Sequence, residues 1–180
     1  MQKQIDTQRL IIRRFNKEDW QDLHEYLSDE EVVFYEPYET FNEEASKEEA
    51  ERRAEDDSFF AVCLKETGKV IGNLYLGKQD FETYELGYVF NKKYQKQGFA
   101  IESAERILDY AIEELKARRI IAMCNPKNEP SWKLLERLNM RREGHLIKNI
   151  YFKVDENNQP IWLDTYEYAI LASERSNKND

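Results

Sequence analysis

The chain has 180 residues, of which 41% are hydrophobic and 35% charged, and its formal net charge is −9. This length fits one domain with a real core, and the acidic balance argues against a general nucleic-acid binder, which would show a basic face. No segment approaches the roughly 18 apolar residues of a membrane span, and residues 1–10 do not resemble a signal peptide, so we expect a cytoplasmic protein without a membrane partner.

Disulfide and metal chemistry are not predicted. Cys63 and Cys124 each lie inside an apolar run, which is typical of buried thiols. His24 and His145 are far apart and have no ligand spacing around them. We therefore expect no metal site.

The first third of the chain predicts a strand and two helices. Residues 10–15 are typical of a strand, and Asn16 with Asp19 forms a variant capping box at the start of a helix over 17–27. Residues 41–57 are rich in charged helix formers, which predicts a second, largely solvent-facing helix.

In the middle of the chain the spacing of apolar residues changes from strand-like to helical. Apolar runs at 59–64 and 70–76 flank a short link that contains Gly68, which predicts a hairpin. Residues 84–90 predict a further strand, and residues from about 100 to 117 follow helical spacing.

The last third predicts a strand, a helix and a hairpin. Residues 119–124 form a strand that should run parallel to 84–90, because a helix separates the two. A helix begins near Asn128 or Glu129, and residues 146–154 and 161–171 form the terminal hairpin. The prediction is an α+β fold of one domain over 1–172 with a flexible tail over 173–180. It has a mixed, mostly antiparallel sheet of six to seven strands, a central parallel pair and helices on both faces.

The loop between the strand at 84–90 and the next helix has the character of a phosphate site. Free N–H groups at a helix start attract anions, Gly98 allows close approach, and Lys92, Lys93 and Lys96 add positive charge. Plain turn chemistry is the alternative. The chain lacks both GxxxxGK[ST] and GxGxxG, which excludes the usual nucleotide loops.

This loop also fits the Q/R-x-x-G-x-G/A acetyl-CoA motif of the GNAT acetyltransferase superfamily. Four further segments resemble the ribosomal-protein alanine acetyltransferase (RimJ/RimL-like) branch in the same order: 7–13, 85–88, 128–140 and 164–171. Asn139 departs from the glycine that is usual there, and about residues 28–58 match nothing in the pattern. The resemblance implies a three-layer α/β/α fold whose central parallel strands splay apart.

The resemblance also implies an acetyl-CoA site and no metal. The pyrophosphate would be bound by the loop residues, which are Gln95, Lys96, Gln97, Gly98, Phe99 and Ala100. Backbone groups of Tyr88, Val89 and Phe90 would bond the pantetheine arm, and an amide near Val89 or Phe90 would polarise the thioester carbonyl. Asn128 would cap its helix, bond the pantetheine, or do both.

Two side chains are candidates for proton transfer. Glu85 could deprotonate the amine, or it could be an ordinary salt-bridged or exposed strand carboxylate. Ser131 could protonate the leaving thiolate, or its hydroxyl could bond the backbone of the first helical turn. Leu135 stands where many relatives have a tyrosine acid, and Glu102 is better explained as compensating the helix dipole.

The acceptor is left open by the sequence. Phe34, Tyr35 and Tyr38 could hold an amine by cation–π contact or simply pack, and the acidic run over 43–57 could attract a basic peptide or be a solvated helix face. We expect an N-acetyltransferase acting on a peptide N-terminus or a small amine, as a monomer or homodimer. The alternatives are a non-catalytic acyl-CoA-binding sensor and, more distantly, a general phosphate-ligand enzyme.

Overall fold

The computed structural model describes residues 4–176 and contains one mixed sheet between two layers of helices. In chain order the elements are β1 (Ile5–Asp6), β2 (Leu10–Arg14), α1 (Trp20–Leu27), α2 (Glu30–Val33), α3 (Glu43–Glu55), β3 (Phe59–Leu64), β4 (Val70–Lys78), β5 (Thr83–Phe90), α4 (Phe99–Glu113), β6 (Arg119–Cys124), α5 (Glu129–Arg137), β7 (Arg141–Ile150), β8 (Leu163–Leu171) and α6 (Ala172–Ser176). Short 3-10 helices at Lys17–Asp19 and Lys92–Tyr94 precede α1 and α4.

The sheet has eight strands in the order β1-β2-β3-β4-β5-β6-β8-β7. Neighbouring strands are antiparallel except β5 and β6, which are parallel as predicted. One core cluster joins the sheet to α4 and α5, and a second joins its other face to α1 and α3. The three-layer α/β/α prediction is therefore confirmed.

Local signals placed several elements correctly. The Asn16 N–H donates to the Asp19 carboxylate (2.9 Å), which also accepts from Arg13, so the variant capping box is formed. β3 and β4 are joined by the predicted turn, in which Gly68 has φ +74° and donates to the Leu64 carbonyl. β6 has the predicted bounds.

The sequence predictions missed short and edge elements. The strand count was wrong by at least one, because β1 has only two residues and shows no periodicity. β7 begins five residues before the predicted start at 146, because it is the exposed edge strand and residues 141–145 show no alternation. The helix over 30–33 was not predicted at all.

The start of the predicted tail is also helical. Arg175 donates to Asp109 (2.6 Å) and Arg141 is paired with Glu174, so α6 is attached to α4 and β7. Residues 177–180 of the predicted tail lie outside the described residues. Among residues 4–176 no helix has both the length and the apolar character that crossing a membrane requires.

Candidate active site

The two central parallel strands separate after a short paired stretch. They pair only at Thr83–Arg119, Tyr84–Ile120 and Glu85–Ile121, although both strands continue beyond these positions. β6 stays paired with β8 along its whole length, and β5 stays paired with β4. A gap therefore opens between β5 and β6 beyond Glu85, which confirms the splayed pair.

Alternation along β5 decides which backbone groups face this gap. The Thr83 carbonyl accepts from the Gln79 N–H (2.8 Å) and the Asn91 N–H donates to the Ile71 carbonyl (2.9 Å), so odd-numbered residues face β4. The β4–β5 register has no shift between them. Tyr88 and Phe90 therefore direct their backbone groups into the gap, whereas Val89 directs its groups to β4. Three residues were predicted to bond the pantetheine through their backbone. Val89 is the one of them whose backbone groups do not face the gap.

The loop after β5 presents unpaired N–H groups to an anion. Gly98 precedes α4 with φ +84°, and Lys96 has φ +59°. The Glu102 N–H makes the first bond of the helix, to the Gly98 carbonyl (3.0 Å), so residues 99–101 have no intrahelical acceptor. Left-handed residues in such a loop turn successive N–H groups toward one point and form an anion-binding concavity. The Gln95 side chain closes the loop by donating to the Phe90 carbonyl (2.9 Å).

Arg9, which directly precedes β2, stabilises this loop. Its Nε donates to the Glu102 carboxylate (2.7 Å), its Nη1 donates to the Gln97 carbonyl (3.0 Å), and its guanidinium lies over the Phe99 ring (4.4 Å). Hydrogen bonds from Thr7 and Arg9 hold the pKa of Glu102 below its ordinary value. Glu102 is thus a structural partner and not a base. Arg9 lies in the segment 7–13 that resembles the family, but the sequence gave no signal for this contact across 93 residues of chain.

The predicted positive charge of the loop is partly neutralised. Lys92 pairs with Glu31 (2.5 Å) and Lys93 with Glu25 (2.5 Å). Lys96 is exposed and makes no ion pair among residues 4–176. Attraction of a phosphate group therefore rests on backbone N–H groups, the helix dipole and Lys96.

Ser131 and Tyr88 meet on the α4–α5 side of the gap. The Tyr88 hydroxyl donates to the Ser131 carbonyl (2.9 Å) and lies 3.0 Å from the Ser131 hydroxyl, which then donates to it. Burial raises the pKa of Tyr88 well above its usual range, so the phenol stays protonated. Burial also raises the pKa of Cys124 to about 11, an effect that the Ser131 hydroxyl opposes. The Ser131 hydroxyl thus bonds a tyrosine of β5 and not the backbone of its own helical turn.

The start of α5 differs from the prediction in one respect. Asn128 occupies the N-cap position, and its carbonyl accepts from Ser131 (3.1 Å), but its side chain makes no capping hydrogen bond. Leu135 is fully buried, so this helix offers no tyrosine acid at that position. The tyrosine that reaches the gap comes from β5, where the sequence identified Tyr88 only for its backbone.

Glu85 stands at the point where the strands part. Its side chain lies on the α1–α3 side of the sheet, because Val89, which shares its parity, packs in the second core cluster. Gln79 donates to the carboxylate (3.2 Å), and burial raises the pKa of Glu85. No ion pair of Glu85 exists within the described part of the chain, so the salt-bridge alternative is not what the structure shows.

Residues 9–141, most of the chain, match the family model of the acetyltransferase (GNAT) domain. The chain belongs to the GNAT acetyltransferase family. It is 41% identical to an uncharacterised N-acetyltransferase, YnaD of Bacillus subtilis, over 94% of this chain and 98% of that protein. Among solved structures it is similar to a GNAT acetyltransferase from Bacillus anthracis, with a TM-score of 0.86, 39% identity and coverage of 95% and 99%. This GNAT protein is therefore an N-acetyltransferase.

The GNAT fold extends to more distant proteins. The spermidine N-acetyltransferase of Vibrio cholerae, solved in complex with CoA and spermine, has a TM-score of 0.76 at 20% identity, covering 92% of this chain and 96% of that one. Within the present GNAT chain Asn139 has φ +62°, and asparagine tolerates this left-handed conformation. That explains how it replaces the glycine usual after α5.

Proposed function

We propose that this N-acetyltransferase uses acetyl-CoA and transfers the acetyl group directly to a primary amine, either a peptide N-terminus or a small molecule. The observation that carries the proposal is the β5–β6 gap, which leads from the anion-binding loop to the Ser131–Tyr88 pair. The RimJ/RimL-like branch remains part of the proposal and is supported by the order of the sequence motifs. No observation favours a non-catalytic sensor.

The residues at the gap fit acetyl-CoA. The amides over 95–100 and Lys96 would bind the pyrophosphate, and the Tyr88 backbone at the free edge of β5 would bond the pantetheine. The Phe90 carbonyl already accepts from Gln95, which leaves the Phe90 N–H for the thioester oxygen. The Asn128 side chain makes no capping hydrogen bond, so it is available to bond the same pantetheine arm. Both cysteines are free thiols, which supports a reducing, cytoplasmic location.

Each chemical step has a group in place. When bound, acetyl-CoA supplies the acetyl group as a thioester. The amine nitrogen forms its bond to the carbonyl carbon while the carbon–sulfur bond breaks, and the Phe90 N–H stabilises the oxyanion. Glu85 takes the proton from the amine, directly or through water, and Ser131 with Tyr88 returns a proton to the thiolate.

Thermal unfolding with acetyl-CoA, CoA and ATP in parallel tests the proposal. We expect both CoA species to stabilise the protein, by about 2.7 kcal/mol at 100 times the dissociation constant, or several degrees. ATP should give no shift, because it lacks the pantetheine arm. A folded sample that shifts with neither CoA species would overturn the acetyl-CoA proposal.

Tyr88→Phe tests the proton donor. We expect kcat for amine acetylation to fall by about 10- to 100-fold, because the Ser131 hydroxyl loses its buried partner. The CoA dissociation constant should change little, since the backbone of residue 88 is retained. Tyr84→Phe on the same face of β5 is the control. Equal activity of the two variants would remove Tyr88 from the mechanism.

A further inference from the structure

The anion-binding loop is tied to the rest of the molecule through Arg9. Residues 95–97 are exposed, so packing does little to fix their backbone. The side chains of Gln95 and Gln97 bond carbonyls that precede them in the same connection (both 2.9 Å). Among residues 4–176, the hydrogen bond that reaches residues 95–98 from outside the β5–α4 segment comes from Arg9, whose Nη1 donates to the Gln97 carbonyl (3.0 Å).

The guanidinium of Arg9 is itself fixed by the first turn of α4. The Glu102 carboxylate accepts from the Nε of Arg9 (2.7 Å), from the Arg9 backbone N–H (2.8 Å) and from the Thr7 hydroxyl (2.6 Å). The guanidinium also lies over the ring of Phe99 (4.4 Å), which is buried in the core. Because the guanidinium is planar and rigid, holding it at Glu102 and Phe99 also fixes the nitrogen that bonds the loop.

The bond to the Gln97 carbonyl sets the direction of two N–H groups. In a trans peptide the C=O and the N–H point in opposite directions, so the Gly98 N–H points away from the guanidinium. Gly98 has φ +84° and ψ 0°, which brings its N–H and the Phe99 N–H to the same side. Neither N–H donates to an acceptor within residues 4–176. Both are therefore held ready for an anion.

The charge of Arg9 is balanced before any anion arrives, because it forms an ion pair with Glu102 (2.7 Å). The guanidinium also fills the space beside Gly98, where an added Cβ would lie 3.1 Å from Nη2. These contacts indicate that Arg9 acts on the loop through geometry and not through a net positive field.

We propose that Arg9 is a positioning residue of the acetyl-CoA site, which holds the Gly98 and Phe99 N–H groups in the arrangement that binds the pyrophosphate. This inference rests on the proposed function and deepens it, because it adds to the pyrophosphate site a residue from outside the motif loop. Without Arg9, the loop would have to be ordered when the ligand binds, and affinity would fall by that cost.

The test measures the dissociation constants of CoA and dephospho-CoA by isothermal titration calorimetry. The variants are Arg9→Met, Arg9→Lys and the double variant Arg9→Met/Glu102→Gln, which removes both charges of the pair together. Arg118→Met is the matched control, because Arg118 is also exposed and donates its Nε to a backbone carbonyl, that of Phe81 (3.3 Å). That carbonyl lies before the start of β5, at the end of the strand opposite the loop.

We expect Arg9→Met to bind CoA about tenfold more weakly than the wild type, or weaker still, because a hydrogen bond from a charged donor is lost. Dephospho-CoA should show the same loss, since it keeps the pyrophosphate. The double variant should also show the loss, although its net charge equals that of the wild type. Arg9→Lys should fall between Arg9→Met and the wild type, because an ammonium lacks the planar fork. Arg118→Met should bind like the wild type.

Three results would overturn the positioning role while leaving the proposed function intact. The first is wild-type CoA affinity in Arg9→Met. The second is wild-type affinity in the double variant, which would mean that Arg9 only neutralises Glu102. The third is a loss for CoA without a loss for dephospho-CoA, which would mean that Arg9 contacts the 3′-phosphate.

A wild-type protein that binds neither CoA species would instead overturn the proposed function, and this inference with it. Folding is checked by the unfolding temperature of each ligand-free variant. Arg9→Lys keeps the charge and the contact with Phe99, so it carries the test if Arg9→Met does not fold. Wild-type CoA affinity in Arg9→Lys would then overturn the proposal.

Discussion

Glu85→Gln is expected to lower kcat for amine acetylation by about 10²- to 10⁴-fold, the range that general base catalysis contributes. The amide keeps the shape of the side chain and can still pair with Gln79, but it cannot accept the proton of the attacking amine. Affinity for CoA should stay within about twofold, because the anion-binding loop lies at the opposite end of β5. Steady-state kinetics with thiol release, together with CoA titration, measures both quantities.

The pH dependence of kcat tests the same role of Glu85. A base must be ionised to act, so the wild-type rate should rise with pH through the pKa of Glu85, which burial places above its ordinary value. In Glu85→Gln this increase of the rate with pH should be absent. Glu82→Gln changes the same charge in the exposed turn before β5 and serves as control. A Glu85→Gln enzyme with wild-type kcat would assign the proton to water or to another group.

The sequence was most informative where structure is set by neighbours along the chain. The capping pair Asn16 and Asp19, the turn at Gly68 and the apolar run of β6 each depend on a few consecutive residues, and each was predicted correctly. The loop Gln95–Ala100 was predicted for the same reason, because a strand, a glycine and a helix follow each other directly. Its binding of CoA stays a prediction.

The rest of the site depends on contacts that no local pattern encodes. Tyr88 and Ser131 are 43 residues apart, and Tyr35 and Lys127 are 92 apart. A tyrosine on a strand is ordinary core by pattern, so its hydroxyl attracted no prediction. Only the splaying of β5 from β6 brings it beside the helix start, and that geometry came from the family resemblance.

The charged helix α3 shows how composition can mislead. Residues 41–57 were interpreted as a largely solvated helix, which holds for most of its acidic side chains. Arg53, however, is only 2% exposed and packs against Phe59 (4.7 Å) and Phe15 (5.5 Å). Arg52, its neighbour, is 51% exposed. Arg52 and Arg53 are adjacent in the helix, yet they point to different faces, so one guanidinium is buried and the other is exposed. Amino-acid composition cannot predict which of the two is buried.

Arg53→Met is therefore expected to lower the free energy of unfolding by about 1–3 kcal/mol, the cost of removing one partner of a buried hydrogen bond while Glu49 keeps its bonds from Arg52. At roughly 2–4 °C per kcal/mol for a chain of this size, the unfolding temperature should fall by about 5 °C. Arg52→Met removes a neighbouring arginine that also binds Glu49, and it should cost less than about 1 kcal/mol because that pair is exposed. Thermal and urea unfolding of the two variants measure the difference.

The cost should also depend on pH in a definite direction. Arg53 opposes the rise in the pKa of Glu36, so removing it raises that pKa further above about 7. Below the ordinary pKa of a glutamate both proteins hold Glu36 neutral, and only the loss of the Arg53–Glu49 pair distinguishes them, since Glu49 keeps its hydrogen bonds from Arg52. As pH rises to 8, Glu36 loses its proton in the unfolded chain. The folded variant must either retain this proton or bury the charge without Arg53, so the variant loses more stability than the wild type. A difference between Arg53→Met and wild type that is the same at pH 5 and pH 8 would show that Arg53 does not compensate Glu36. Its burial would then serve packing on Phe15 and Phe59 alone.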